Sequence, residues 1–560
     1  MNLQNEPEKT ERLPISAASE PESTPLHKQQ ILHAVRTSIS LLFLLLSIGM
    51  VLYYIWGPAR YEFHSDCTDT IYWAEAAMEG KGLINPDFQY ATVMPFGGNL
   101  FMQLWMPFFG VSMLTHTLGM TTFFAVFTAA LFWLLHELKW SMSWRFITIA
   151  GLLTALSASE KIREIFWGHI IYYSLGMLFL LLGMSLVLHI YNLREKVQTP
   201  RVWHQTLFFL ILLLGLFTIC CTNSTTAIAL FSLPVIAALF LERFLDHTVK
   251  LTAQKNLFSG ILLLLCVLGT IAGMLLGKWI AGDVVPSYAN AYSYFTSPDS
   301  WQEHLEQLPL AFLNLIGLDV DTDTFLTSLS GVQTILLLFY AALLVILPIA
   351  ALFCYRKITD TGFRMLIWAH FTCTAFILIG YICGMLYTAN WRLSPLIVTG
   401  FLVSLSFLRW LYQKNSTRRL GILLLLPVGY SCMQSTLGVL QMPANAYLKS
   451  ASYQLSEYLQ QQGLTYGYAT FWNSQVITVQ SDAQCKVRTV SIDEDGVNIN
   501  LYQSNKNWYD DQPGQEEYFL LMSPYEKSVL TASDSPVPDM PHRTLEYMGY
   551  TIWIFEENLF

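Results

Sequence analysis

The chain has 560 residues, of which 53% are hydrophobic, 14% aromatic and only 13% charged, with a formal net charge of −9 at pH 7. That charged share is about half of the roughly 25% carried by a soluble globular domain, which excludes an ordinary soluble protein. No basic, aromatic-interleaved surface speaks for nucleic acid, and nine cysteines without a CxxC or Cys/His pattern argue against zinc and iron–sulfur sites.

In chain order, a polar tail over residues 1–33 precedes a first apolar run at 37–57 with no small-residue cleavage site after it, so the run reads as a retained anchor. Further apolar runs lie at 119–137, 145–159, 171–191, 206–221, 226–242, 257–277, 331–354, 364–386, 394–411 and 420–439. A helical crossing takes about 20 residues, so the fold class is mainly α: a polytopic transmembrane bundle of about 11–13 spans. Basic residues gather in alternate loops, at Lys139/Arg145, Arg194/Lys196/Arg201, Arg243/Lys250/Lys255, Arg356/Lys357/Arg364 and Lys414/Arg418/Arg419. Lys and Arg favour the cytoplasmic side, which predicts a multi-pass cell-membrane protein with its N-terminus inside and its C-terminus outside. Residues 100–117 carry Pro107 and Gly110 and read as a juxtamembrane or re-entrant segment. Within a membrane domain over 34–440, this leaves two long outer loops, 58–119 and 278–333. From 441 to 560 the composition turns polar. A helix at 445–462 and period-two runs at 467–472, 476–479, 487–492, 518–521 and 550–555 predict a small extracytoplasmic α+β domain. Cys67 and Cys485 both fall on the outward side, where pairing is open to them.

Chemistry-bearing residues concentrate at the outer boundary. In the first loop, His64-Ser-Asp66-Cys-Thr-Asp69 places two carboxylates three residues apart just beyond the first span. Such an acid suits a general base for a hydroxyl or a divalent-cation ligand; the plainer alternative is a helix N-cap and a solvated acid. Between two spans, Ser159-Glu-Lys161-Ile-Arg163-Glu164-Ile-Phe-Trp167-Gly-His169 mixes both charges with aromatic rings. Lys161 and Arg163 suit a lipid phosphate and Glu164 a metal or sugar, against interfacial anchoring by local ion pairs. At a late span mouth, Asn390-Trp391-Arg392-Leu-Ser-Pro395 puts an arginine outside, against the charge bias. Its planar fork fits phosphate oxygens, with snorkelling to headgroups as the alternative. Asp319, Asp321 and Asp323 read as a solvated acidic stretch, and His116 and Pro234 as packing features.

The order in the first loop is acid, amphipathic helix, Gly80-Lys-Gly82 turn, extended piece, Pro95-Phe-Gly-Gly-Asn turn and apolar juxtamembrane segment. With the span layout and the outward tail, it resembles the GT-C glycosyltransferases, such as protein O-mannosyltransferases, aminoarabinose transferases and oligosaccharyltransferases. The resemblance implies a polyprenyl-phosphate-linked sugar donor, a glycan, lipid or protein acceptor, and a catalytic aspartate at Asp69, or at Asp66 if the motif is read one turn earlier. It implies a lipid-phosphate contact at Arg392; the reading of their own loop adds Lys161 and Arg163 to it, with substrate or neighbouring roles for His64, Glu164, His169 and Trp391. A divalent cation, Mg or Mn, would fall to Asp66, Asp69 and Glu164. The rival classes are a transporter or lipid flippase, and a non-catalytic scaffold presenting the outer domain. Transporters place acids or broken helices near the midplane, whereas here the polar residues crowd one interface.

Overall fold

The computed structural model describes residues 25–194, 199–244, 253–287, 294–320, 323–385 and 389–560. The first 24 residues of the polar tail, Lys196, Lys250 and Asp321 lie outside them.

Among the described residues, ten helices are long and apolar enough to cross a membrane, from Gln30–Arg60 to Arg418–Gln441, and an eleventh apolar helix, Met142–Ala155, is shorter. Each apolar run read from the sequence falls on one of these, and the protein is a multi-pass membrane protein. Tyr172–Arg194 and Asn390–Gln413 are mostly buried and form the centre of the bundle. Lipid tails are as apolar as leucine, so helices in a membrane adhere through close contact. Gly183 shows this: a Cβ there would stand 2.4 Å from the Phe231 ring.

The first long loop holds a 3₁₀ turn, Ser65–Thr68, the helix Asp69–Glu79, strand β1 (Phe88–Gln89) and two short helices, Asn99–Gln103 and Met106–Phe109. The apolar segment at 100–112 therefore does not cross. The next long helix starts at Met113, six residues before the expected 119, because the Ser112 side chain accepts from the Thr115 N–H and caps it. In the second loop the expected amphipathic stretch is the helix Trp301–Leu315, tied down by His304 Nδ1, 2.6 Å from the Ile382 carbonyl.

The C-terminal region is a six-stranded sheet with helices. Its strands are β2 (Tyr466–Ala469), β3 (Lys486–Asp493), β4 (Gly496–Ile499), β6 (Tyr518–Met522), β7 (Arg543–Tyr547) and β8 (Tyr550–Phe555), in the order β4-β3-β2-β6-β8-β7. β2 runs parallel to β3 and β6; the other pairs are antiparallel. One expectation fails here. Residues 476–479, together with 471–472 at the end of the preceding predicted strand, are not strand but part of the helix Phe471–Gln480, which crosses from β2 to β3. Every residue from Ser474 to Gln480 is buried, and a short apolar run buried on all sides carries no period that separates strand from helix.

This region does not stand apart from the membrane part. Strand β5 (Ser504–Asn505) pairs antiparallel with β1 of the first loop, and Lys506 Nζ lies 2.6 Å from the Asp87 carboxylate. Glu79, at the end of the Asp69–Glu79 helix, accepts from Asn505 Nδ2 and Trp508 Nε1. The buried Arg488 guanidinium sits 3.8 Å from the Trp508 ring centre, and it opposes the burial that raises the Glu75 carboxyl. The first loop is thus clasped between helices and sheet.

Candidate active site at the loop face of the membrane

Asp69 opens the helix Asp69–Glu79 directly after the Ser65–Thr68 turn, where the free N–H groups of a helix start favour a carboxylate. The turn is pinned by the C-terminal region: Ser65 Oγ donates to the Phe471 carbonyl (2.7 Å) and Thr68 Oγ1 to Gln475 Oε1 (2.8 Å). On the opposite side the Pro95-Phe-Gly-Gly turn slips between helix and membrane part. A Cβ on Gly98 would stand 2.1 Å from the Ile170 carbonyl and 2.8 Å from Thr70 Cγ2, so the approach requires glycine.

Asp69 is only 6% exposed. Its Oδ2 lies 3.3 Å from His169 Nε2, while Oδ1 has no hydrogen-bond partner. Burial pushes the Asp69 carboxyl up, against the pull of His169 and Gln503. Gln503, which sequence reasoning missed, is fully buried on a left-handed backbone (φ 56°). Its Oε1 accepts from Trp73 Nε1 (2.7 Å) and the Ala91 N–H (3.3 Å), which orients the amide; its NH₂ group favours the charged form of Asp69 without making a hydrogen bond of its own. Nothing in the local sequence marks this glutamine.

The second wall joins all three sequence motifs. The Asp66 side chain is 40% exposed, and its carboxylate lies 4.0 Å from His64 Nδ1. His64 Nε2 is 3.3 Å from Glu164 Oε2, and Lys161 pairs with the same oxygen. Burial alone would raise the Glu164 carboxyl, but His64 and Lys161 hold it down at about 2. The Cys67 sulfur and the Glu164 carboxylate raise His64 well above its usual range. Lys161 Nζ also lies 5.1 Å from the Trp391 ring centre, linking this cluster to the late-span turn. There Arg392 Nη1 donates to the Gly380 carbonyl (3.2 Å). Arg163 instead turns its fork inward, onto Glu62 (Nη2–Oε1 2.5 Å, Nε–Oε2 3.2 Å) and the Ser157 carbonyl. Glu62 carries no sequence signal of its own.

An apolar cleft of about 720 Å³ opens between helices, lined by Phe312, Leu338, Phe371, Ala375, Leu378 and Leu396 among others, the last of these one turn after Arg392. The candidate cation ligands do not converge. Among the described residues no group of three or more His, Cys, Asp or Glu side chains is arranged to hold a metal. The Glu164 carboxylate already faces two cationic groups of the protein, so Asp66, Asp69 and Glu164 do not fit Mg or Mn as a set. Cys67 and Cys485 are both buried free thiols. His116 packs as expected, its Nε2 3.0 Å from the Gly168 carbonyl and its ring edge-on to Phe63.

The fold is a helical bundle with the first loop clasped beneath a C-terminal sheet region, an aspartate at the loop's helix start and an apolar cleft between helices. No protein-family model and no curated protein matches the sequence. Among solved structures, the chain is similar to ArnT from Cupriavidus metallidurans bound to undecaprenyl phosphate, at 13% identity over 90% of this chain and 97% of that one, with a TM-score of 0.54. It is also similar to the oligosaccharyltransferase AglB from Archaeoglobus fulgidus in complex with an inhibitory peptide and a dolichol-phosphate, at 10% identity over 95% of this chain and 74% of that one, TM-score 0.45. The likeness to ArnT runs through nearly the whole of both chains, and this chain has that fold.

Proposed function

We propose that the protein is a membrane glycosyltransferase that moves a sugar from a polyprenyl-phosphate donor to an acceptor hydroxyl on the outer side of the membrane. The observation that carries this reading is Asp69: a buried carboxylate with one oxygen held by His169 and the other unpartnered, at the membrane boundary. Burial raises its proton affinity, as a general base near neutral pH requires. The solved ArnT structure, of the same fold, holds undecaprenyl phosphate.

In this reading the polyprenyl tail lies in the apolar cleft, and the donor phosphate reaches the turn bearing Trp391 and Arg392. Asp69 takes the proton of the acceptor hydroxyl as its oxygen bonds to the anomeric carbon. The bond from that carbon to the phosphate oxygen breaks with its electron pair, and polyprenyl phosphate leaves with one more negative charge. Arg392 and Lys161 stabilise that developing charge, an interaction stronger in the transition state than in the ground state. Arg163, spent on Glu62, braces the wall, and Glu164 keeps Lys161 and His64 in place. Asp66, exposed at the lip, is the weaker candidate for the base. The loop face is the outer face, where nucleotide sugars are absent and a lipid carrier supplies the donor; the N-terminus is then cytoplasmic.

The test is label transfer from a panel of radiolabelled polyprenyl-phosphate sugars to envelope extracts by protein in nanodiscs. Asp69→Asn is expected to lower the rate about 10³-fold and Asp66→Asn less than about tenfold. Transfer that survives Asp69→Asn overturns the assignment. Accumulation of label across proteoliposomes without transfer makes the protein a transporter.

A further inference from the structure

The C-terminal region offers a run of aromatic rings, Tyr466, Tyr468, Phe471 and Trp472, and the fold divides them. Tyr466 and Tyr468 are buried in β2, where Tyr468 stacks on Tyr509 and Tyr518. Phe471 packs edge-on to Tyr502. Trp472 alone is turned out, with 61% of its surface exposed. Its ring centre lies 6.2 Å from that of His64, whose Nδ1 is 4.0 Å from the Asp66 carboxylate.

Trp472 is also held in place. It sits in the first turn of the helix Phe471–Gln480, which Ser65 and Thr68 fasten to the Asp69 turn, and whose far end is anchored where Asp482 Oδ1 accepts from the Met113 N–H (3.2 Å). A solvent-facing indole beside a part-exposed carboxylate is therefore carried on a helix that is fastened to the turn of the proposed base.

We propose that Trp472 and Asp66, both set beside the His64 ring, form a carbohydrate subsite at the mouth of the Asp69 site, so that the acceptor presents a sugar ring there. A pyranose has an apolar C–H face and a rim of hydroxyls. An indole face matches the first, while the part-exposed Asp66 carboxylate accepts from the second. A lipid surface alone would not use the carboxylate, and an extended peptide does not present the flat C–H face that an indole takes. The subsite rests on the transferase reading for its role as acceptor site, but its binding chemistry stands without it.

Saturation-transfer NMR on the full chain in lipid nanodiscs tests it, with methyl glycosides of glucose, mannose and rhamnose as probes and the tripeptide Gly-Ser-Gly as comparison. Ring protons of at least one glycoside should receive saturation from the native protein, and the effect should fall roughly five- to tenfold in Trp472→Ala while persisting in Trp472→Phe. Trp279→Ala, at another exposed tryptophan, should change nothing. Saturation of the glycosides that is equal in Trp472→Ala, or matched by the tripeptide, overturns the subsite. Strong quenching of Trp472 by doxyl-labelled lipid does so too, because it makes the ring a membrane anchor. Glycoside saturation that depends on Trp472, with no label transfer from any polyprenyl-phosphate sugar, keeps the subsite and removes the transferase reading.

Discussion

His169 Nε2 stands 3.3 Å from Asp69 Oδ2 across 100 residues of sequence, and this contact gives one carboxylate oxygen a partner while the other stays open. A hydrogen bond to the charged form lowers a carboxyl's pKa, so it works against the burial that raises Asp69. Removing it in His169→Ala raises that pKa further and takes the base form away at neutral pH. The acid limb of the native pH–rate profile should lie above the ordinary carboxylate value of about 4. In His169→Ala it should move higher still. Transfer at pH 7 should drop by roughly ten- to a hundredfold and recover as pH rises. A parallel loss at every pH would show that His169 only holds the loop.

Gly98 admits no side chain, because a Cβ would fall 2.1 Å from the Ile170 carbonyl. Gly98→Ala must push Ile170, and His169 with it, away from the Asp69 helix. Thermal unfolding should report a loss of about 1–3 kcal/mol. Transfer should fall by more than the folded fraction does.

Arg392 is the phosphate-facing arginine of the proposal. Arg392→Ala should weaken binding of undecaprenyl phosphate by roughly ten- to a hundredfold, and Arg392→Lys should restore only part of it, since an ammonium lacks the planar fork. Lys161→Met should cost less, because Lys161 is already shared with Glu164 and the Trp391 ring. Binding by native mass spectrometry measures both.

Ala375 lines the apolar cleft and is not part of the packed core. Ala375→Trp should fill the space meant for the polyprenyl tail. Transfer from a long-chain donor should fall at least about tenfold, while a donor with a two-isoprene tail keeps its rate. Equal effects on both donors would place the tail elsewhere.

The membrane part was legible because hydrocarbon leaves a helix little alternative: every backbone group must be satisfied within the segment, so about 20 apolar residues read as a span. The runs at 37–57 and 394–411, for example, became helices at Gln30–Arg60 and Asn390–Gln413. The two-carboxylate motif, the Lys161–Glu164 cluster and the Arg392 turn were visible as well, since charges beside apolar runs stand out. The helix Phe471–Gln480 was not, because complete burial erases the periodicity that tells strand from helix.

By itself the sequence determined a many-span membrane chain with charged and aromatic residues massed at one interface, for composition and run length alone decide what may sit in lipid. Only the tertiary structure decided that Asp69 is buried against His169, that Arg163 is consumed by Glu62, and that Gln503 and Trp472 from the C-terminal region reach the site. These contacts join positions from 100 to over 400 residues apart through pairing of β1 with β5 and through a glycine that lets two segments touch. No local pattern encodes such neighbours, because proximity in the folded chain is a property of packing and not of spacing.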